Sequence, residues 1–226
     1  ETWDAARFSR EITDLYMASL ADEKKLKTTN INIYEAVITA RNSSEGATPS
    51  DVLRPTLYDL LAHRALEYFT DDQANITKAS DQFQLSQTVA FADSKTFAAA
   101  AFNNSDPLST PYYALLIFQK LADLHRSQSN PAPLVDAEIK RLKFAKQKSI
   151  LENKNNLYIE ALEKMYEKHK AASPSTNISY EMAIYYKDLG NKYQNTENEQ
   201  FKYDKKVSIT LNSIGSMHVF DTIHIV

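Results

Sequence analysis

Apolar residues recur at helical spacing near the N-terminus of the chain. Between Trp3 and about Leu26 they lie three or four positions apart, which predicts one amphipathic helix. A second helix is predicted from Ile31 to Ala40, and the polar, turn-forming residues of 42–49 predict a loop. The apolar stripe of the first helix consists of Phe8, Ile12, Leu15, Tyr16 and Leu20.

A proline and a capping pattern mark the start of the next helix. Thr56 and Asp59 follow Pro55 with the spacing of a capping box, so a helix is predicted to begin here and to run to about Phe69. The helical pattern weakens over 71–104, where phenylalanines are scattered among polar residues. This segment is predicted to be a long irregular excursion that ends in a short helix.

Two strongly patterned helices are predicted next. Thr110 and the proline after it open an apolar helix that reaches His125 and is expected to be central to the core. Pro131 and Pro133 interrupt the chain, and another helix follows. The outer faces of that helix are predicted to be solvated and to carry Lys140, Arg141, Lys143 and Lys146.

A helical hairpin is predicted at about 157–193. Its alanines and tyrosines fall at close-packing positions, which is typical of tetratricopeptide-type units. The positions predicted to lie inside the hairpin are Tyr158, Ala161, Leu162, Met165, Tyr166, Tyr180, Ala183, Ile184 and Leu189.

The pattern as a whole predicts an all-α fold. We expect an array of helical hairpins, related to tetratricopeptide-like α-α superhelices, that forms a single helical domain over 1–214. One more helix is predicted over 201–214. The β-branched residues of 215–226 differ from everything before them and are expected to form an atypical tail.

Composition narrows the classes of function. The chain has only 3 glycines, too few for the turns and phosphate loops of most all-β and nucleotide-binding folds, and no cysteine for disulfides, thiolate nucleophiles or zinc. A formal charge of −3 without a strongly basic segment argues against a nucleic-acid partner. No apolar run approaches the roughly 20 residues of a membrane span. The start at Glu1 predicts a processed chain.

Three potential metal ligands lie on one face of a predicted helix. Asp59, His63 and Glu67 are spaced four residues apart, but they extend over roughly 12 Å and do not converge on one point. A structural role for His63, bonded to its neighbours, is therefore favoured over metal binding or catalysis. His125 and His169 lie near the ends of predicted helices, where capping is the simpler interpretation.

No other motif nominates a reaction or a ligand. The sequence contains no nucleophile elbow, phosphate-binding loop, zinc-protease pair or calcium loop, so we predict a protein that is not an enzyme, with no catalytic, cofactor-binding or metal residues. The 13 tyrosines and 10 phenylalanines suit a glycan or peptide groove. Most of them fall at helix-core spacing, however, and packing is the favoured interpretation.

One stretch of the sequence resembles a known family. Residues 54–69, which read RPTLYDLLAHRALEYF, resemble a signature in the N-terminal region of large alpha-2-macroglobulin family proteins of Bacteroidetes. The resemblance covers roughly residues 3 to 214. Further stretches that match in the same order are 83–102, 113–121 with His125, 134–136 followed by Arg141-Leu142, and 157–162.

The resemblance implies a place for the chain in the cell envelope. Family members are envelope lipoproteins similar to protease-trapping inhibitors, with a bait segment and sometimes a thioester in downstream domains. Without cysteine this chain has no thioester, so trapping is assigned to none of its residues. We expect a non-catalytic N-terminal scaffold or protein-interaction domain, periplasmic or attached to the outer membrane through a lipid outside this chain. Its partner would be an envelope protein or the downstream macroglobulin domains.

An alternative is a helical glycan- or nutrient-binding module of an envelope lipoprotein. An exposed stack of two or three aromatic rings would favour this alternative, whereas aromatics buried between helices would favour the scaffold. An enzyme ranks third. A helical glycosidase would need two carboxylates about 5 to 10 Å apart across a cleft, and no spacing in the sequence selects such a pair.

Overall fold

The computed structural model describes residues 4–34, 50–72 and 83–192. Helices dominate these three ranges, and no β-strand is present in them, so the all-α prediction is confirmed. None of the described helices has both the length and the apolar character needed to cross a membrane. The α-helices are α1 (Ala5–Ser19), α2 (Glu23–Thr28), α3 (Ser50–Leu53), α4 (Leu57–Thr70), α5 (Ser94–Ala98), α6 (Thr110–His125), α7 (Ala132–Lys148), α8 (Lys154–His169) and α9 (Ser175–Lys192).

The chain forms two compact units, Glu1–Leu151 and Glu152–Val226. The single domain over 1–214 and the tetratricopeptide-like superhelix stay predictions. The predicted loop at 42–49, the predicted helix over 201–214 and the atypical tail at 215–226 lie outside the described residues.

Helix α6 is central to the first unit, as its apolar sequence predicts. It packs against α4, α5 and α7, and its Leu115, Ile117 and Leu121 are almost fully buried. Tyr58 of α4 and Leu142 of α7 are buried in the same core. Each such side chain contributes about 1.5–3 kcal/mol through the apolar surface that it removes from water.

The capping box of α4 forms as predicted. The Thr56 hydroxyl accepts a hydrogen bond from the Asp59 amide at 3.3 Å, and the Asp59 carboxylate accepts one from the Thr56 amide at 2.9 Å. Pro55 precedes the cap rather than lying in the first turn. Its carbonyl accepts a hydrogen bond from the Ile31 amide at 3.0 Å, which ties the start of α4 to the N-terminal segment.

The N-terminal amphipathic helix differs from its prediction. It divides at 20–22 into α1 and α2, and Asp22 caps the second part. The apolar stripe faces the core only in part. Leu20 is buried, and Ile12 and Tyr16 are half-buried, whereas Phe8 and Leu15 are 49% and 70% exposed. The small residues Ser9 and Thr13 are buried in their place, and α1 contacts α4.

The predicted second helix from Ile31 to Ala40 is described only in part. Residues Ile31–Tyr34 form a single 3-10 turn, and the remainder lies outside the described residues.

The described part of the 71–104 excursion is irregular, with a 3-10 turn at Thr88–Phe91 and the short helix α5. Phe97 and Leu85 anchor it in the core with 0% and 2% exposure. The Gln119 side chain of α6 donates hydrogen bonds to the carbonyls of Phe97 at 2.9 Å and Ala100 at 2.7 Å. Side chains of the neighbouring helix thus replace part of the backbone bonding that an irregular segment lacks.

Helices α8 and α9 form a helical hairpin in the region for which the sequence predicts one. Tyr158, Leu162 and Ile178 are buried between them. The predicted inside positions of α9 are wrong at Tyr180 and Ile184, which are 45% and 38% exposed. Ala183 is buried as predicted, and α9 also buries the neighbouring positions 178, 179, 185 and 186.

Candidate functional site

A buried carboxylate joins the start of α4 to the end of α6. Asp59 is fully buried, and its Oδ2 accepts hydrogen bonds from the amide and hydroxyl of Thr56 at 2.9 and 2.7 Å. Its Oδ1 lies 2.6 Å from Nε2 of His125, whose Nδ1 lies 3.0 Å from the Gln128 side-chain oxygen. His125 thus bonds to side chains rather than to the last carbonyls of α6, and the capping prediction is wrong for His125.

His63, one turn after Asp59, faces a different partner. Its Nε2 lies 3.9 Å from the Asp136 carboxylate, which is paired at 2.8 Å with Lys140. Burial, reinforced by the electrostatic effect of Lys140, Arg54 and His125, lowers the pKa of His63 to about 2. The ring is therefore neutral at physiological pH, and Asp136, already neutralised by Lys140, does little to oppose this.

The three aligned residues of α4 therefore diverge. Asp59 binds His125, His63 faces Asp136, and Glu67 is exposed. In the part of the chain that the structure describes, no group of three His, Cys, Asp or Glu side chains is placed to hold a metal ion.

The neutral state of His63 predicts a pH dependence of stability. The unfolded ring titrates near 6.5, so below that pH the unfolded chain binds a proton that the folded chain does not, and stability falls as the pH falls. Between pH 7 and pH 5 this difference amounts to about 2 kcal/mol. On going from pH 7 to pH 5, the His63→Gln protein should lose about 2 kcal/mol less of its free energy of unfolding than the native chain does. Urea unfolding of both proteins at the two pH values measures this difference. Equal losses in the two proteins would contradict the assignment.

Arg141 is the main correction to the predicted outer face of α7. It is buried, with its Nε and Nη2 atoms donating to the two Glu138 oxygens at 3.0 and 2.6 Å. Its Nη1 donates to the carbonyl of Ala90, and Nη2 donates to that of Ala92 at 2.9 Å. The guanidinium lies 4.3 Å from the centre of the Phe97 ring. Arg141 therefore holds the irregular segment on α7.

The accessible feature of this unit is a continuous row of aromatic rings, which we call the aromatic strip. It joins α1, α4, α6 and the segment before the 3-10 turn, and each ring lies within 5.9 Å, centre to centre, of the next. Within the strip Phe69 is buried, and the other five rings are half-buried. Its members are Tyr16, Tyr68, Phe69, Tyr113, Tyr112 and Phe83.

Ring orientation along the strip alternates. Tyr16 stacks on Tyr68 at 5.2 Å with a 24° interplanar angle, and Phe69 stacks on Tyr113 at 5.4 Å with 27°. Between these two pairs, Tyr68 and Phe69 meet edge to face at 71°. Neighbouring rings of the strip therefore meet at different angles and do not form one flat platform.

Two tyrosines of the strip, Tyr68 and Tyr113, have a raised pKa and therefore keep their protons. Burial, with the neighbouring Tyr16, raises the pKa of Tyr68, and burial together with nearby Asp14, Tyr112 and Asp106 raises that of Tyr113. Neutral phenols both donate and accept hydrogen bonds. The strip thus combines apolar ring surface with polar edges.

Adjacent aromatic residues in the sequence indicate part of the aromatic strip. Neighbouring residues of a helix point about 100° apart. In the pair Tyr68-Phe69, the Phe69 ring is buried in the core and the Tyr68 ring is half-buried at the surface. The signal is incomplete, because the similar pair Tyr185-Tyr186 is buried.

In comparisons with protein-family models, curated proteins and solved structures, the chain matches none of them.

Proposed function

We propose that the chain is a non-catalytic protein-interaction scaffold, the N-terminal domain of an alpha-2-macroglobulin-like protein of the cell envelope. The aromatic strip is the observation that supports this proposal most. Half-buried tyrosines supply large contact area at low conformational cost and are enriched where proteins bind each other.

The motif that carries the resemblance supports a scaffold role. Its residues Tyr58, Asp59 and His63 are buried, and Asp59 ties α4 to α6. At its end, Tyr68 and Phe69 enter the aromatic strip. Within the stretch, Asp59 and His63 lie in the core, where a substrate has no access, whereas Arg64 and Glu67 are exposed.

One observation favours the alternative of glycan binding. Tyr16 and Tyr68 form a half-exposed parallel stack, on which a sugar ring would pack. Against this alternative, neighbouring rings meet edge to face at Tyr68-Phe69 and at Tyr112-Tyr113, so a flat platform contains at most two rings. A surface of alternating faces and edges suits the varied side chains of a peptide segment better.

One screen, run in parallel on peptides and glycans, distinguishes protein interaction from glycan binding. The full chain is panned against a random peptide display library and applied to a glycan array, beside the variant Tyr68→Gln/Tyr112→Gln. We expect the native chain to enrich peptides that this variant binds at least about tenfold more weakly. Tyr180→Gln, which replaces an exposed tyrosine outside the strip, is the matched control and should bind as the native chain does.

Each other outcome of the screen decides against the proposal. Glycan signals that disappear in the strip variant, without enriched peptides, would establish the alternative. Peptide binding that survives in Tyr68→Gln/Tyr112→Gln would show that the strip is packing alone.

A further inference from the structure

We propose that the middle of the aromatic strip, at Tyr113, binds a lysine or arginine side chain of an extended partner segment. This inference rests on the proposed interaction function and names the chemistry of the partner. Two carboxylates act electrostatically on this position, where the Tyr113 hydroxyl oxygen and half-buried aromatic rings lie.

Asp14 of α1 and Asp106, shortly before α6, supply the negative charge. Burial raises the pKa of the Tyr113 hydroxyl, and the negative charges of both carboxylates raise it further. Asp106 is mostly buried, and its Oδ1 is fixed by the Leu108 amide at 2.9 Å. Asp14 is exposed. The two charges therefore border the strip from opposite elements of the fold, one held in place and one open to solvent.

Neither carboxylate is neutralised by the described part of the chain. No lysine or arginine within these ranges forms an ion pair with Asp14 or Asp106, although Arg10 lies one helical turn before Asp14. Lys120 of α6 and Lys148 of α7 have other partners, because Lys120 pairs with Glu23 at 2.9 Å and Lys148 pairs with Asp72. The two carboxylates therefore produce a negative electrostatic potential beside the rings, and this potential favours a partner with a cationic side chain.

The rings complete the site for a cation. The Tyr113 hydroxyl donates its hydrogen to the Pro107 carbonyl at 3.1 Å, so only its acceptor lone pairs remain for a ligand. The rings of Tyr112 and Tyr113 are half-buried, and the negative quadrupole of an aromatic ring attracts ammonium and guanidinium groups. An anionic or purely apolar segment would leave these features unused.

The test uses two fluorescein-labelled peptides of repeated Gly-Ser-Arg and Gly-Ser-citrulline, which match in shape but differ in charge. Fluorescence anisotropy with the full chain should show the arginine peptide binding about tenfold more tightly at low salt. Asp14→Asn should weaken that binding about threefold or more. Asp123→Asn removes the same charge from the exposed face of α6 and should leave it unchanged.

Equal binding of the two peptides, or equal effects of Asp14→Asn and Asp123→Asn, would overturn the inference. Failure here is distinct from failure of the proposed function. If binding of the library peptides still depends on Tyr68 and Tyr112 while peptide charge has no effect, the proposed interaction surface is supported and its preference for a cation is refuted. If binding does not depend on the strip at all, both fall.

Discussion

Arg141→Met is expected to lower the free energy of unfolding by about 3–5 kcal/mol, one of the two largest effects that we predict. Methionine keeps much of the buried volume but removes all four hydrogen bonds of the guanidinium. The Glu138 carboxylate is then buried without its counter-charge, and the carbonyls of Ala90 and Ala92 lose their donors. Urea unfolding followed by circular dichroism measures the loss.

Two controls separate the buried pair from a general effect of losing charge. Lys143→Met, on the exposed side of the same helix, should change stability by no more than about 0.5 kcal/mol. Adding Glu138→Leu to Arg141→Met should restore part of the stability, since it removes the stranded carboxylate. An Arg141→Met protein as stable as Lys143→Met would show that the side chain is not buried.

Asp59→Ala is expected to cost about 3–5 kcal/mol as well, because one carboxylate performs two tasks. It caps α4 through Thr56 and binds the buried His125 at 2.6 Å. Thr56→Ala removes only the hydroxyl of the cap and should cost about 1 kcal/mol. Chemical unfolding of both variants at pH 7 measures the two losses.

A double-mutant cycle isolates the contact between α4 and α6. Asp59→Ala combined with His125→Leu should cost about 1–3 kcal/mol less than the sum of the two single changes, since each removes the other's partner. Additive losses, or an Asp59→Ala protein no weaker than Thr56→Ala, would be inconsistent with a bonded pair.

Local chemistry made part of this fold predictable from the sequence. The capping box at Thr56 and Asp59 and the apolar run of α6 are decided within a few residues, and both helices begin where the pattern predicts. The partner of Asp59 was not predictable in the same way. His125 lies 66 residues further along the chain, and only tertiary packing brings the two side chains together.

Arg141 was misassigned because a basic residue on a helix is usually solvated. The sequence nevertheless held a signal. Glu138 and Arg141 are spaced three apart, and with Leu134 and Ala145 they form one stripe that is buried along its length. A charge pair at helical spacing inside an apolar stripe therefore indicates a buried ion pair rather than an outer face.

The N-terminal helix shows why a stripe alone does not decide which side is buried. The apolar side of α1 was the natural candidate for the core, yet Ser9 and Thr13 are buried and Leu15 is exposed. The aromatic strip escaped prediction for a related reason. Tyr16, Tyr68 and Tyr112 come from three separate helices, so their contacts depend on how the helices pack rather than on spacing within any one of them.

The most direct test of the central proposal, that the aromatic strip binds a partner on a frame stabilised elsewhere, measures binding and stability in the same protein. For Tyr68→Gln/Tyr112→Gln we expect a cooperative unfolding transition lowered by no more than about 2 kcal/mol, together with at least about tenfold weaker binding of peptides selected by the native chain. A variant that unfolds in the same way but binds those peptides as tightly as the native chain would contradict the proposal.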